Sequence, residues 1–279
     1  MGISPEKELD RFLAEDIGKG DITSGFLPRR KITATIITKQ NGIIAGVQYA
    51  KKIFASKGCS VKILKKDGST VKQNQRIIVV RGLAKHVLSC ERTALNLLSR
   101  MSGIATETNK LVKKVRDINS SVKVYSTRKT APGLRFFDKE AVKIGGGHKH
   151  RMGLDDMVMI KDNHLAVEEI SSLLKKVRKK HKIIEIEVEN TNDAILAAQG
   201  GAKIIMLDNF IPSQITKVID KLSKLNLRRK VKLEASGGIN SKNIQSYAAM
   251  GVDMISIGKI THSVSGLDLS LEVNKGQKL

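Results

Sequence analysis

The 279-residue chain has an ordinary globular composition, with 41% hydrophobic and 28% charged residues, and it carries a net charge of +23. Aromatic residues make up only 3% of the chain, Trp is absent and the positive charge is spread over both halves, so we do not expect a nucleic-acid-binding protein. No apolar run is long enough to cross a bilayer, no signal-peptide pattern precedes residue 20, and Cys59 and Cys90 give no disulfide framework, which together predict a cytoplasmic protein with no membrane partner.

The first predicted domain covers residues 1–105 and has an α+β texture. Strand-like runs occur at 31–40 and 42–47, a helix-like run follows at 48–58, and two or three strands joined by Gly turns follow at 60–82. A long helical pattern then leads into the rest of the chain. The tail at 265–279 alternates apolar and polar residues, so we expect it to pack back onto this first domain as an added strand.

The second predicted domain, residues 106–264, alternates short apolar strands with amphipathic helices. The strand-like runs lie at 122–127, 157–162, 183–190, 203–209, 231–238 and 253–259. Near-continuous apolar strands alternating with helices predict a parallel sheet covered by helices. Right-handed crossovers can wind such a sheet into an open doubly wound sheet or into a barrel.

Polar side chains follow each of these strands at its C-terminal end, and they favour the barrel. Examples are Arg128, Lys129, Glu187, Asp208 and Ser236. In a (β/α) barrel all of these ends converge on one rim, which is where barrel enzymes have their active sites. An open sheet would instead concentrate them near one switch point. We therefore predict an incomplete (β/α) barrel of about six or seven parallel strands.

Glycine-rich loops close the last two strands and predict a phosphate site. Ser236, Gly237 and Gly238 lie in the first loop, and Gly258 lies in the second. Glycines let backbone N–H groups approach an oxyanion, and barrels often bind phosphate at these two loops. The alternative is that they are ordinary tight turns that need positive φ.

Five basic residues cluster around the loop "GGGHKHR". Arg128 and Lys129 directly follow a strand, while His150, Arg151 and Lys161 flank the next one. On one rim these charges would repel one another unless anions were bound, so they predict an anionic substrate. An ordinary solvated basic face is the alternative.

Two carboxylates, Glu187 and Asp208, end consecutive strands near these cations. They predict ligands for Mg²⁺ or groups that stabilise a developing positive charge. Salt bridges to Lys129 and Lys161 are the alternative. No third ligand stands at zinc spacing from the histidines of the loop, and no Ser or Cys has the setting of an activated nucleophile. The residues alone thus predict a barrel enzyme that acts on a phosphorylated substrate and a second anion.

Nine motifs, spread over almost the whole chain, carry a resemblance to a known family. They are "EDIGKGDITS" (15–24), "ERTALNLLSRMSGIAT" (91–106), "STRKTAPGLR" (126–135), "GGGHKHRMGL" (145–154), "IKDNH" (160–164), "EIEVEN" (185–190), "MLDNF" (206–210), "EASGGI" (234–239) and "GVDMISIGKITHS" (251–263). In this order they resemble the quinolinate phosphoribosyltransferases. In that family quinolinate attacks C1′ of phosphoribosyl pyrophosphate, pyrophosphate leaves, and loss of CO₂ gives nicotinate mononucleotide for de novo NAD biosynthesis.

The resemblance implies a role for each residue of the predicted site, with Mg²⁺ as cofactor. Arg128, His150 and Arg151 would hold the quinolinate carboxylates. Lys129 and Lys161 would face phosphoribosyl pyrophosphate, and Ser236, Gly237, Gly238 and Gly258 would cradle its 5′-phosphate. Glu187 and Asp208 would lie near the ribose and the metal, which makes Lys129, Glu187 and Asp208 the expected catalytic residues.

The resemblance also implies a homodimer, because Arg92 is similar to a family arginine that reaches the neighbouring subunit's site. The sequence departs from the common pattern at His148 and Lys149, where affinity is expected to change but the reaction is not, and at "FFD" (136–138), which we attribute to packing. One alternative is a related transferase of molybdate-transport operons that acts on a different anion, but such proteins lose the "KDNH" retained at 161–164. A non-carboxylating nicotinate transferase would need only one carboxylate clamp.

Overall fold

The computed structural model describes residues 4–274, which divide into two compact units. The first contains residues 4–109, 131–146 and 263–274, and the second contains residues 110–130 and 147–262. Residues 131–146, predicted as part of the barrel domain, thus belong to the first unit. Residues 275–279 of the predicted tail lie outside the described residues.

The elements of residues 4–274 follow one another as helices and strands in both units. The helices are α1 (Pro5–Ile17), α2 (Ile22–Gly25), α3 (Val47–Ser56), α4 (Ala84–Arg116), α5 (Arg135–Ile144), α6 (Asp162–Leu165), α7 (Ile170–Val177), α8 (Thr191–Gln199), α9 (Pro212–Lys224), α10 (Ile244–Ala248) and α11 (Lys259–His262). The strands are β1 (Lys31–Thr38), β2 (Gly42–Ile43), β3 (Ser60–Ile63), β4 (Thr70–Val71), β5 (Arg76–Leu83), β6 (Lys123–Tyr125), β7 (Val158–Ile160), β8 (Ile184–Val188), β9 (Ile204–Asp208), β10 (Lys232–Ser236), β11 (Met254–Ser256) and β12 (Leu269–Val273).

The first unit is built on an antiparallel sheet of four strands in the order β12-β1-β5-β3. Strand β1, "KITATIIT", is rich in β-branched residues that favour a pleated surface, and Ala34 and Ile36 in it are completely buried. The strand β12 of the C-terminal segment pairs with β1, with Ile36 opposite Leu271. The described part of the tail therefore forms a strand of the N-terminal unit.

The long helix α4 buries one apolar face at the spacing expected of an amphipathic helix. Gly103 lies in the same helix, where a Cβ atom would collide with the backbone oxygen of Ser265. The glycine thus permits the segment that leads into β12 to pass directly against the helix. The buried residues of this face include Val87, Cys90, Ala94, Leu98 and Met101.

Phe137 of α5 is completely buried in a cluster of aromatic rings in the first unit. Its ring centroid lies 5.1 Å from that of Tyr49, 5.4 Å from that of Phe136 and 5.8 Å from that of Phe12. Edge-to-face arrangements at these distances add to the stabilisation from burial. These contacts explain why residues 131–146 belong to this unit and give "FFD" the predicted packing role.

We expect Phe137→Ala to lower the free energy of unfolding by about 3–5 kcal/mol, because it removes a large buried ring and leaves a cavity. Urea unfolding followed by circular dichroism would measure the loss. Leu64→Ala is the control in the same unit, since Leu64 is 38% exposed, and it should cost less than about 1 kcal/mol. Equal losses in the two variants would contradict the packing role of the ring.

The second unit contains a parallel sheet of six strands in the order β6-β11-β10-β9-β8-β7. The first strand lies beside the last and the others follow in chain order, which is the order of a barrel that is open between β6 and β7. Beside β6, His148 donates its backbone N–H to Val124 O (2.8 Å) and accepts from Ser126 N–H (2.9 Å), so this segment lies beside the six strands as a seventh, held by a single bridge. The predicted incomplete barrel of six or seven strands is confirmed.

The strand register brings polar side chains together at one end of this sheet. Ser236 pairs with Asp208 across β10 and β9, and Glu187 pairs with Met206 across β8 and β9. Since alternate residues of a strand point to the same side, Asp208 shares the face of Met206 and lies diagonally from Glu187. Among residues 4–274, no helix is both long and apolar enough to span a membrane.

Candidate active site

A cavity of about 390 Å³ lies at the C-terminal ends of the parallel strands. The position agrees with the predicted rim of the barrel, and the lining comes from residues far apart in the sequence. Eight of the predicted site residues line it: Arg128, Lys129, His150, Arg151, Lys161, Glu187, Asp208 and Ser236.

Six further residues line the cavity and were not assigned to the site from the sequence. Some of them could have been identified from the sequence, because side chains two residues apart in a strand lie on the same face. Glu234 stands two residues before Ser236, and Met206 stands two residues before Asp208. Met159, Met206 and Glu234 lie within their strands, beneath the predicted rim, whereas the other three lie at or just after a strand end. The set consists of Ser126, Thr127, Met159, Met206, Glu234 and Ser256.

Two guanidinium groups, of Arg128 and Arg151, form a cationic part of the cavity wall. Arg151 is only 7% exposed, and its Nη1 donates to the carbonyl oxygen of Met157 at 3.2 Å. Burial, followed by the nearby charge of Arg128, lowers the pKa of Arg151. The Nε of Arg128 is buried and has no hydrogen-bond partner among residues 4–274. Unpaired buried donors are costly, so this wall is suited to an anionic ligand.

Lys161 and Glu187 form an ion pair across the cavity through Nζ and Oε2. Of the two salt bridges that the sequence left open as an alternative, to Lys129 and to Lys161, this is the one that the structure shows. Asp208 accepts a hydrogen bond from Asn209 Nδ2 at 2.7 Å, and the backbone N–H of Lys161 donates to His164 Nδ1 at 2.9 Å. The last contact gives the histidine of the "IKDNH" motif a role in fixing the start of α6.

The two carboxylates predicted to bind Mg²⁺ lie at the ends of neighbouring strands. Glu187 and Asp208 could each offer a carboxylate oxygen, and among the described residues they do not belong to a cluster of three acidic or histidine ligands. Mg²⁺ is commonly bound by one or two carboxylates together with substrate phosphates and water. The donor set therefore fits a magnesium ion that arrives with a phosphorylated substrate.

His150 is held by its neighbours through both ring nitrogens. Its Nε2 lies 3.2 Å from Glu185 Oε2 and 3.3 Å from Glu234 Oε2, and its Nδ1 accepts the backbone N–H of Arg151 at 2.8 Å. Burial alone would lower the pKa of His150, but the two carboxylates overcome this and raise it to about 9. Because Nδ1 accepts the N–H of Arg151, it carries no proton in this geometry: the ring is neutral with its proton on Nε2, and a second proton, which the two carboxylates favour, would break the contact with Arg151.

Glu185 is the one member of this cluster that lies outside the cavity lining and outside the predicted site. Its side chain is completely buried, and burial raises the pKa of its carboxyl group. The sequence signal was the alternation of Glu185, Glu187 and Glu189 in "EIEVEN", because the first two share the interior face of β8.

The predicted phosphate-binding glycines are not among the residues that line the cavity. Gly237 has φ of 88°, and a Cβ atom there would lie 2.7 Å from the backbone nitrogen of Asn209. At Gly258 a Cβ atom would lie 3.0 Å from Lys129 Cδ, so the glycine leaves room for that lysine. The helices α10 and α11 that follow have only 5 and 4 residues, so the expected contribution of the helix dipole is small.

Arg92 and the unusual loop residue His148 lie apart from the cavity lining. Arg92 belongs to α4 and is exposed. The ring of His148 stacks on Tyr125 with 5.0 Å between centroids, and burial lowers its pKa. The structure therefore places this departure from the family pattern in packing beside β6.

Comparison with known proteins gives matches over nearly the whole chain. The family model described as the quinolinate phosphoribosyl transferase C-terminal domain matches residues 104–272, and that of the N-terminal domain matches residues 21–102. A protein of Archaeoglobus fulgidus named probable nicotinate-nucleotide pyrophosphorylase [carboxylating] is 45% identical over 255 residues, covering 91% of this chain and 98% of the relative.

Two further matches bear the same kind of name. A probable nicotinate-nucleotide pyrophosphorylase [carboxylating] of Methanothermobacter thermautotrophicus is 42% identical and covers 95% of this chain and 97% of its own. The solved structure of the nicotinate-nucleotide pyrophosphorylase of Francisella tularensis is 37% identical, with a TM-score of 0.90 and 98% of each chain covered. Both units of the fold are thus shared with that structure.

Proposed function

We propose that this protein, which belongs to the quinolinate phosphoribosyltransferase family, converts quinolinate and phosphoribosyl pyrophosphate into nicotinate mononucleotide, pyrophosphate and CO₂. The observation that carries the proposal is the buried Nε of Arg128, a donor without a partner among the described residues, on the same wall as Arg151. An anion with two carboxylates would satisfy both guanidinium groups, and the relatives' carboxylating names match such an acceptor.

The cavity has separate groups for the two anionic substrates. Arg128 and Arg151 would bind the carboxylates of quinolinate, because their planar forks match carboxylate geometry. Lys129 and Lys161 would bind phosphoribosyl pyrophosphate as point charges, and Ser236 with the glycines beside it would contact the 5′-phosphate. The ion pair of Lys161 would then exchange a carboxylate partner for a phosphate.

Bond exchange at C1′ needs stabilisation of positive charge on the ribose. The bond from C1′ to the pyrophosphate oxygen breaks and the pyridine nitrogen forms the new bond to C1′, through an oxocarbenium-like state. Glu187 and Asp208, fixed at neighbouring strand ends, would stabilise that charge without reorganising. A magnesium ion held by these two carboxylates and the substrate would neutralise the leaving pyrophosphate.

Decarboxylation then follows from the chemistry of the product ring. Once the nitrogen is alkylated, the pyridinium accepts the electron pair left when the bond to the adjacent carboxylate breaks. CO₂ departs as that bond breaks, and the ring carbon, stabilised by the adjacent cationic nitrogen, then takes a proton from water. The chain's contribution here is to hold the remaining carboxylate and to keep the ring oriented in the cavity.

A turnover assay tests the proposed function directly. With quinolinate, phosphoribosyl pyrophosphate and Mg²⁺, we expect CO₂ and nicotinate mononucleotide in equal amounts, measured by isotope release and by chromatography. Nicotinate, which lacks one carboxylate, should give no more than a small fraction of that rate, because one guanidinium would stay unpaired. Equal use of nicotinate, or no product from quinolinate by folded protein, would contradict the proposal.

The proposed functional form is a homodimer in the cytoplasm, with Arg92 of each chain reaching the site of the other. The exposed position of Arg92 on α4 is compatible with contact to another chain. The exposed apolar side chains Ile22 and Phe26, at 81% and 88%, offer surface in the same unit that a second copy would cover.

A further inference from the structure

The imidazole of His150 has no ring nitrogen left for a substrate in this geometry. Its side chain is 5% exposed, its Nε2 faces the carboxylates of Glu185 and Glu234, and its Nδ1 accepts the N–H of Arg151. The residue lines the cavity, but every polar atom of its ring contacts the protein. These contacts indicate a role in building the cavity wall.

Carboxylates are rarely buried as completely as those of Glu185 and Glu234. Both side chains are completely inaccessible, Oε1 of each has no hydrogen-bond partner among the described residues, and the short polar contact of Glu185 Oε2 is the one with His150 Nε2 at 3.2 Å. Such groups are costly unless hydrogen-bond donors or charge partners compensate them. His150 lies against both, and the charge of Glu185 also acts on Arg151.

We propose that Glu185 and Glu234 are positioning residues that anchor His150 and, through it, fix Arg151 for binding the acceptor's carboxylate. The inference rests on the proposed function, since it names the support of the carboxylate-binding wall. The anchor joins β8 and β10 to the loop between α5 and β7 that carries His150.

The link from anchor to guanidinium runs through the backbone. His150 has φ of 52°, a left-handed conformation that few residues other than glycine adopt and that persists only when its surroundings enforce it. The imidazole orientation fixes the N–H of Arg151, and hence the direction in which its side chain leaves the backbone. A displacement of about 1 Å at a binding group can change rates roughly 100-fold.

The test uses Glu185→Gln and Glu234→Gln as separate variants, each nearly isosteric with the original side chain. We expect the KM for quinolinate to rise roughly 10- to 100-fold in each, with kcat changed much less and the Kd for phosphoribosyl pyrophosphate unchanged. Glu189→Gln is the matched control, because Glu189 follows the same strand but is exposed. This variant should leave the KM for quinolinate and the Kd for phosphoribosyl pyrophosphate unchanged. The Kd and the melting temperature report that each variant is folded.

A double-mutant cycle shows whether the anchor acts through Arg151. In an Arg151→Lys background, Glu185→Gln should cost at most a few-fold in KM for quinolinate, because the group that it positions is already lost. Additive effects in the cycle would overturn the proposal. An unchanged KM in both glutamine variants would also overturn it.

Activity of the wild type separates a failure of this inference from a failure of the proposed function. Wild-type protein that binds phosphoribosyl pyrophosphate but does not turn over quinolinate would defeat the proposed function, whereas an active wild type with unaffected variants defeats only this inference. Metal analysis of purified wild-type protein tests whether the same three side chains bind a metal ion instead. One equivalent of a divalent transition metal, lost in Glu185→Gln, would replace the positioning role with a metal site at His150, Glu185 and Glu234.

Discussion

Glu187→Gln is expected to lower kcat by about 10²- to 10³-fold, while the KM for quinolinate changes only a few-fold. The substitution keeps the shape of the side chain and removes its negative charge at the end of β8. The charge on the ribose develops only as the bond to pyrophosphate breaks, so a group that stabilises it contributes to kcat and not to substrate binding. Steady-state kinetics with each substrate varied separately would measure the two constants.

The ion pair with Lys161 provides the competing explanation of Glu187, and the same kinetics separates the two. If Glu187 served only to hold Lys161, its loss would misplace the lysine and raise the KM for phosphoribosyl pyrophosphate, with kcat little changed. Asp208→Asn is the companion variant, since its carboxylate lies at the end of the next strand without an ion pair to Lys161. A fall in kcat in both variants supports charge stabilisation.

The rim of the barrel could be predicted because a polar residue marks the C-terminal end of each apolar strand. The runs that contain Glu187 and Asp208 are apolar until the point where the polar residue appears, and all parallel strands place that point at one edge of the sheet. The observed strands are shorter than the predicted runs, because the final polar residues of several runs already lie in the loops of the rim. Local pattern was sufficient for this part of the site.

The anchor beneath the rim could not be predicted in the same way. The contacts of His150 reach residues 35 and 84 positions further along the chain, and no local pattern specifies such a meeting. Periodicity predicts that Glu185 points inward, but an inward position in a parallel strand is expected to be apolar. The two acids of β8 and β10 meet His150 only in the folded barrel, and this contact accounts for their burial.

The grouping of residues 131–146 with the first unit could not be predicted for a related reason. The helix α5 follows the motif of Arg128 and precedes the loop of His150, so its sequence position suggests the barrel. The apolar face of α5 predicts that the helix packs against other residues, but it does not identify them. The partners of Phe137 are Phe12 and Tyr49, which come more than 80 residues earlier in the chain.

A mixed dimer of two inactive variants is expected to recover about half of the wild-type activity per dimer, because it contains one intact site. One chain carries Arg92→Ala and an intact barrel, and the other carries Glu187→Gln and an intact Arg92. If Arg92 crosses to the neighbouring chain, the barrel with Glu187 receives its arginine from the partner. Arg92 is exposed on α4, so its removal should leave the fold of its own chain unchanged.

The two chains would carry different affinity tags and be co-expressed, so that tandem purification isolates the mixed dimer from both parents. Each parent should be almost inactive on its own, which is the control for the recovery. An arginine that served its own barrel would leave both sites of the mixed dimer defective, and no activity would return. Full activity in the Arg92→Ala parent would instead show that neither chain's site depends on this residue. Recovery near one half is therefore explained only by a site that is completed by the second subunit.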